Sequence, residues 1–182
     1  YFIALDLGAS IITDVPSGRL YTALVDKKLA AQTFGFARPM RQPGYALFGA
    51  QLETGMDPYR ALEALNTAIA DVGKTPFSQQ ELDRVKTRAL TQWSQIYADP
   101  AHLTSALSEA SALGDWRLFY WQRDQLERTV LEDVQRVTAQ YLVADNRTEG
   151  LYLPTDTPQR APTSAQVDPQ TLLKDYKGRE NA

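Results

Sequence analysis

The hydrophobic pattern opens on a helical period. Phe2, Leu5, Ala9 and Ile12 recur at spacings of three and four, so Tyr1 to Thr13 is expected as a helix. Asp14-Val15-Pro16-Ser17-Gly18 breaks it with turn chemistry. A second short helix is expected around Leu20, Ala23 and Leu24, ending on Asp26, Lys27 and Lys28. The period then changes to two. Ala31 to Arg38 and Tyr45 to Thr54 read as strands of a ribbon joined by the proline-bounded turn Pro39 to Gly44. In the second strand Ala46, Phe48, Ala50 and Leu52 share one face, and Gln51 and Glu53 take the other.

From Gly55 the helical period returns. Asp57-Pro58 predicts an N-cap followed by proline in the first turn, with Ala61, Leu62, Leu65, Ile69 and Val72 as the buried stripe and Gly73 as the stop. Ser78 to Glu81 is a capping box, with Phe77 and Leu82 placed as a hydrophobic staple. It opens a helix carrying Leu82, Val85, Ala89, Trp93 and Ile96. Asp99-Pro100 starts another, closed by Gly114. Asp115-Trp116 opens a short aromatic helix through Tyr120 and Trp121. Thr129 to Glu132 reads as a second capping box, before a helix with Leu131, Val134, Val137 and Tyr141 inward. Arg147 to Leu153 is expected as the last strand. Beyond it apolar content falls, and four of the ten prolines lie between Pro154 and Ala182. Residues 156–182 are therefore expected as an extended linker, with a short amphipathic patch at Leu172, Leu173 and Tyr176.

The pattern thus predicts an α+β domain over residues 1–155, an antiparallel-rich mixed sheet with helices packed on one face. Its 182 residues, 43% hydrophobic and 23% charged, suffice for a real core. A net charge of −3 lacks the basic field of a nucleic-acid binder. No apolar run approaches a membrane span, so neither nucleic acid nor membrane is an expected partner. With no cysteine, disulfides, thiolate metal sites and cysteine nucleophiles drop out together. A start at Tyr1-Phe2-Ile3, without an initiator Met, reads as an excised piece of a longer protein.

Chemistry narrows the picture further. His102 is the single histidine and has no cluster of ligands around it in sequence. The glycines at 8, 18, 35, 44 and 49 form no phosphate-binding loop. Glu81, Asp83 and Glu109 lack calcium-loop spacing, and no serine sits in a nucleophile elbow. Arg19 has two readings, recognition of a carboxylate or fastening of its own loop through carbonyls. Trp116, Phe119, Tyr120 and Trp121 are either a peptide-binding surface or core plus interface. No catalytic, cofactor-binding or metal-binding residue is therefore expected in this chain.

Four segments together resemble the pitrilysin/insulinase family of zinc metallopeptidases, which includes the mitochondrial processing peptidases. They are Ser17 to Val25, Phe77 to Lys86, Leu113 to Arg117, and Val130 to Val137 with Tyr141-Leu142 and Asp145 to Thr148. The resemblance is to the second, non-catalytic domain of the amino-terminal half, with the tail similar to the inter-half linker of bacterial single-chain members. It implies a parent that hydrolyses peptides through zinc held by an upstream H-x-x-E-H motif, with this domain lining the substrate chamber and packing on the catalytic domain. It implies a periplasmic location and partners within the same chain. A catalytically dead homologue serving as an assembly or partner subunit is the alternative. Departures are clear: H-x-x-E-H is absent, and Val25 stands where the family's carboxyl-terminal half carries a substrate-binding Arg, with no Tyr following. The family domain also opens with a strand ahead of the first helix. Its lack here would leave an unpaired sheet edge or an uncovered apolar strip, so a homodimer or a strong packing contact along that edge is expected.

Overall fold

The computed structural model describes residues 2–163 and 165–179. Tyr1, Ser164 and residues 180–182 lie outside it, so the expected helical start at Tyr1 and the last positions of the linker are not among the described residues. The chain divides into two units, Tyr1–Glu149 and Gly150–Ala182.

The first unit is built around α1, Phe2–Ile12. Ile3, Ala4, Leu7, Gly8, Ala9, Ile11 and Ile12 are all buried, so the apolar surface runs round the helix and exceeds the single stripe read from the sequence. A helix apolar on every side needs partners on every side. It packs on α6, on β1 and on α3. The chain then turns through Asp14 to Gly18 into a helical segment whose end, Tyr21–Val25, is π-wound. The amide of Asp26 donates to the Tyr21 carbonyl at 3.2 Å, and that of Leu29 to the Leu24 carbonyl at 2.8 Å, both five residues back.

The ribbon forms as expected. β1 (Gln32–Arg38) pairs antiparallel with β2 (Tyr45–Gln51), with Gly35 opposite Phe48 and Phe36 opposite Leu47. These two strands are the whole sheet among the described residues. One ribbon face, with Thr33, Gly35, Ala37, Ala46, Phe48 and Ala50, is the more buried. The helices follow: α2 (Pro58–Ala70), α3 (Gln79–Ala98), α4 (Pro100–Leu113), α5 (Leu118–Arg128) and α6 (Leu131–Tyr141). Asp57 and Asp99 cap α2 and α4 through their carboxylates, each with proline in the first turn. The Ser78–Glu81 box is complete, with both reciprocal bonds made. The result is the expected α+β class, helix-rich, with an antiparallel sheet of two strands.

Two local expectations fail. Thr129 does not open a capping box: it closes α5, its hydroxyl donating to the Gln125 carbonyl at 2.7 Å. Only Thr129 and Val130 separate α5 from α6, and the hydroxyl serves the helix behind it. Residues 147–153 form no ladder. A strand has no hydrogen bonds within itself, so alternation alone cannot hold one without a neighbouring edge. The second unit contributes one short helix, α7 (Pro169–Leu173), capped by Asp168. No helix among the described residues is long and apolar enough to cross a membrane.

One charge sits poorly in this core. Burial pushes the Asp6 carboxyl up to about 6, against the pull of the Ala37 backbone amide. Its folded pKa exceeds its unfolded one. The folded state therefore holds the proton more tightly, and stability falls as pH rises between about 4 and 6. Asp6→Asn is expected to stabilise the protein by about 1–2 kcal/mol at pH 7.5 and by almost nothing at pH 4. Thermal melts of both proteins at the two pH values read this, and an equal gain at both would rule out the burial penalty.

Candidate functional site

Several polar residues in and beside the family-like segments fasten elements together. The Nη1 of Arg19 donates to the Glu81 carboxylate at 2.6 Å, its Nη2 reaches the Pro76 carbonyl, and its guanidinium lies 4.4 Å from the Phe77 ring centre. The carboxylate and the carbonyl that Arg19 holds both belong to the segment 76–81 of its own domain, so it ties that segment to the turn after α1 and fastens neither a ligand nor its own loop. Glu81 is the same residue that closes the capping box. Asp14 is buried, and accepts from Arg84 Nε at 2.7 Å, from Arg88 Nη2 at 2.8 Å and from Ser17 Oγ at 3.2 Å. Burial by itself would raise its pKa, but the hydrogen bonds and charges of Arg88 and Arg84 outweigh burial and hold it below the usual range. Lys86 donates to the carbonyls of Glu127 and Thr129, both at 3.0 Å, where α5 ends. Each group is consumed by the fold.

The aromatic cluster resolves the same way. Trp93 of α3 stacks on Phe119 of α5 with ring centres 5.0 Å apart, and its indole N–H donates to the Phe119 carbonyl. Tyr120 meets Trp93, Tyr97 and Trp116 edge-on, and Arg123 lies over the Trp93 ring at 4.9 Å. Trp121 points elsewhere, into a cleft of about 240 Å³ that also includes Arg128 and Asp133. In that cleft Asp133 is already ion-paired with Arg136. The cluster therefore joins α3 to α5 through Trp93 and Phe119, while Trp116 and Trp121 stay half exposed.

A metal fares no better. His102 is exposed at the start of α4, its Nδ1 3.2 Å from the Asp99 carboxylate that caps the helix. No third donor joins this pair, and no group of three His, Cys, Asp or Glu side chains converges among the described residues. A catalytic zinc takes three protein ligands and keeps one open position, so this donor set does not fit one.

What remains open is the outer face of the ribbon. Phe34 (46% exposed), Phe36 (42%), Tyr45 (47%) and Leu47 (44%) stand on the side away from α1. Phe36 and Leu47 are directly paired across the strands, and the Phe36 and Tyr45 rings meet edge-on at 6.2 Å. The Phe34 ring lies against Gly49, where a Cβ would come within 2.3 Å of its Cζ. Gly49 is thus the position that lets the aromatic cover the backbone. The signal for this face was present as apolar residues on both sides of β1 and β2.

The profile of the peptidase M16 inactive domain matches residues 1–89. The chain is similar to the solved inactive peptidase domain of a candidate zinc protease from Bordetella parapertussis, at 54% identity over 89% of this chain and 87% of that one, with a TM-score of 0.81. It is similar to a candidate zinc protease from Bordetella pertussis Tohama I, at 52% identity over 84% and 85% of the two chains, with a TM-score of 0.80. A protease from Helicobacter pylori shares the fold at 22% identity and a TM-score of 0.66, over 78% of this chain and 34% of that one. No curated protein matches. With identity above half over most of both Bordetella chains, the family resemblance read from the sequence is borne out: the chain belongs to the peptidase M16 family as a domain of its inactive type.

Proposed function

We propose that this domain forms one wall of an enclosed peptide chamber in a zinc-dependent metallopeptidase, and that the zinc ligands and general base lie on a separate upstream domain bearing H-x-x-E-H. The carrying observation is the ribbon, packed on one face and open on the other with four apolar side chains. An inward-facing wall needs such a surface. Polypeptide held there buries apolar side chains while the catalytic water is activated elsewhere. The lack of a zinc-fitting donor set among the described residues supports the division of labour. The proposal includes packing on the catalytic domain of the same chain, a linker after residue 155 and a bacterial periplasmic parent. In the isolated chain the open face and edge would favour self-association.

The test uses the full-length parent. Replacing Phe36 and Leu47 together by serine is expected to raise KM for an unstructured peptide about tenfold, with zinc content and kcat nearly unchanged. A parent that hydrolyses no peptide and holds no zinc would instead be an inactive partner subunit. Unchanged KM in the double variant would remove the chamber wall from this face.

A further inference from the structure

The ribbon differs in charge from the rest of the chain. Between Leu29 and Leu52 there is no acidic residue, whereas Arg38 and Arg41 lie at its tip, in a protein whose net charge is −3. Both arginines are exposed, and among the described residues neither is ion-paired. Arg38 is opposite Tyr45 in the register, on the same outer face as Phe36 and Leu47. Met40, 56% exposed, continues the apolar surface into the turn. The other end of the face closes on Gln32 and Gln51, polar and uncharged. The open face is therefore an apolar strip with a cationic end and a neutral end.

Resting on the chamber-wall reading, we infer that the outer ribbon face with Arg38 and Arg41 selects extended peptides whose apolar residues alternate and whose end at the ribbon tip carries carboxylates. Seven-residue strands make the strip about 23 Å long, enough for six or seven extended residues. Alternate apolar side chains of such a peptide match Phe34, Phe36, Tyr45 and Leu47. Its carboxylates meet two guanidiniums that no acid of this domain neutralises. Arginine suits the task because its planar fork binds carboxylates in two-point fashion. A peptide is favoured over an anionic bilayer because the four apolar groups are ranked along two paired strands, matching the period of an extended chain.

The experiment uses the 182-residue chain, isotope-labelled, and two dansylated octapeptides. Both carry phenylalanine and leucine at alternate positions; one has paired glutamates at a terminus and the other paired lysines. The glutamate peptide is expected to bind about fivefold tighter at low ionic strength, as two exposed charge pairs allow. Amide shifts should concentrate in residues 34–47. The combined Arg38→Gln and Arg41→Gln variant should bring the two affinities together without weakening the lysine peptide. Equal affinity for both peptides, with shifts still on the ribbon, would overturn the charge selection and leave the wall reading standing. Shifts confined to the helices would overturn the inference, and the KM of the Phe36 and Leu47 variant of the parent then judges the wall separately. Arginine-dependent uptake onto phosphatidylglycerol vesicles without peptide-induced ribbon shifts would identify a membrane surface instead. Ribbon shifts that grow with protein concentration in the absence of peptide would identify a second copy, and either result defeats the proposal.

Discussion

Replacing Asp14 by alanine is expected to destabilise the protein by about 2–3 kcal/mol, lowering its melting temperature by about 5–10 °C. The side chain is 1% exposed and accepts from three donors on two parts of the chain. Ser17 belongs to its own loop, and Arg84 and Arg88 belong to α3, so the carboxylate ties the end of α1 to that helix. Breaking a buried pair usually costs more, because the orphaned charge stays buried. Here the guanidiniums are 38% and 59% exposed, and water takes over part of what they lose. The pH dependence has a definite sign. A folded pKa below the unfolded value gives a contribution that is present above about pH 4 and lost as pH falls through the folded pKa. The loss caused by Asp14→Asn should therefore shrink under acid as a favourable charge contribution disappears, whereas the gain from Asp6→Asn shrinks under acid as a burial penalty is relieved. Urea unfolding at pH 7 and pH 3 measures both slopes. A full-sized gap at pH 3 would mean that the aspartate acts through shape and not through charge.

These two carboxylates show where sequence reading stops. Caps are local, so Asp57, Ser78 with Glu81, and Asp99 were legible from residues no more than three apart, and each makes its bond. The ribbon was legible because alternation over seven residues fixes which side chains share a face. The partners of Asp14 lie 70 and 74 residues away, and nothing in the local pattern announces them. Residues 147–153 carry a strand-like composition but pair with no strand among the described residues. Thr129 satisfies the capping pattern by composition, yet two residues between helices leave one hydroxyl to serve only one of them. The π-wound turn depends on bonds five residues back at Asp26 and Leu29, which helical periodicity cannot distinguish from ordinary ones.

The open face of the ribbon escapes the sequence pattern for a related reason. A ribbon packed on one side is expected to be polar on the other, as Gln51 and Glu53 suggested. Phe34, Phe36, Tyr45 and Leu47 violate that expectation, and an exposed apolar strip is the kind of exception that marks an interaction surface. By contrast the residues that carried the family resemblance, Arg19, Glu81, Arg84 and Lys86, prove to be fasteners. Their pattern identifies the fold because the fold needs them.

The crossing of α1 and α6 carries the largest single-site effect. A Cβ on Gly8 would lie 2.0 Å from the Thr138 hydroxyl oxygen, 3.1 Å from its Cβ and 3.2 Å from its Cγ2. Alanine is favoured over glycine inside a helix by about 1 kcal/mol, so Gly8→Ala begins with a gain. The contact reverses it. Because Thr138 presents both branches and its Cβ to Gly8, rotating χ1 does not clear the space, and the two helices must separate. Close-packed interiors resist that, and Gly8→Ala is expected to cost about 2–4 kcal/mol net, with Gly8→Val costing more. Thr138 is fully buried, and its hydroxyl has no hydrogen-bond partner among the described residues. Thr138→Ala on the wild-type background should therefore lose a little packing while removing an unsatisfied group, for a net change within about 1 kcal/mol. Combined with Gly8→Ala it should recover at least half of the loss, since both colliding branches are gone. The double-mutant cycle should show a coupling of about 1–3 kcal/mol, measured by urea unfolding with unchanged slopes. Additivity within about 0.5 kcal/mol would mean that α1 and α6 do not meet through Gly8 and Thr138, and would remove the tight crossing on which the packing of the whole first unit depends.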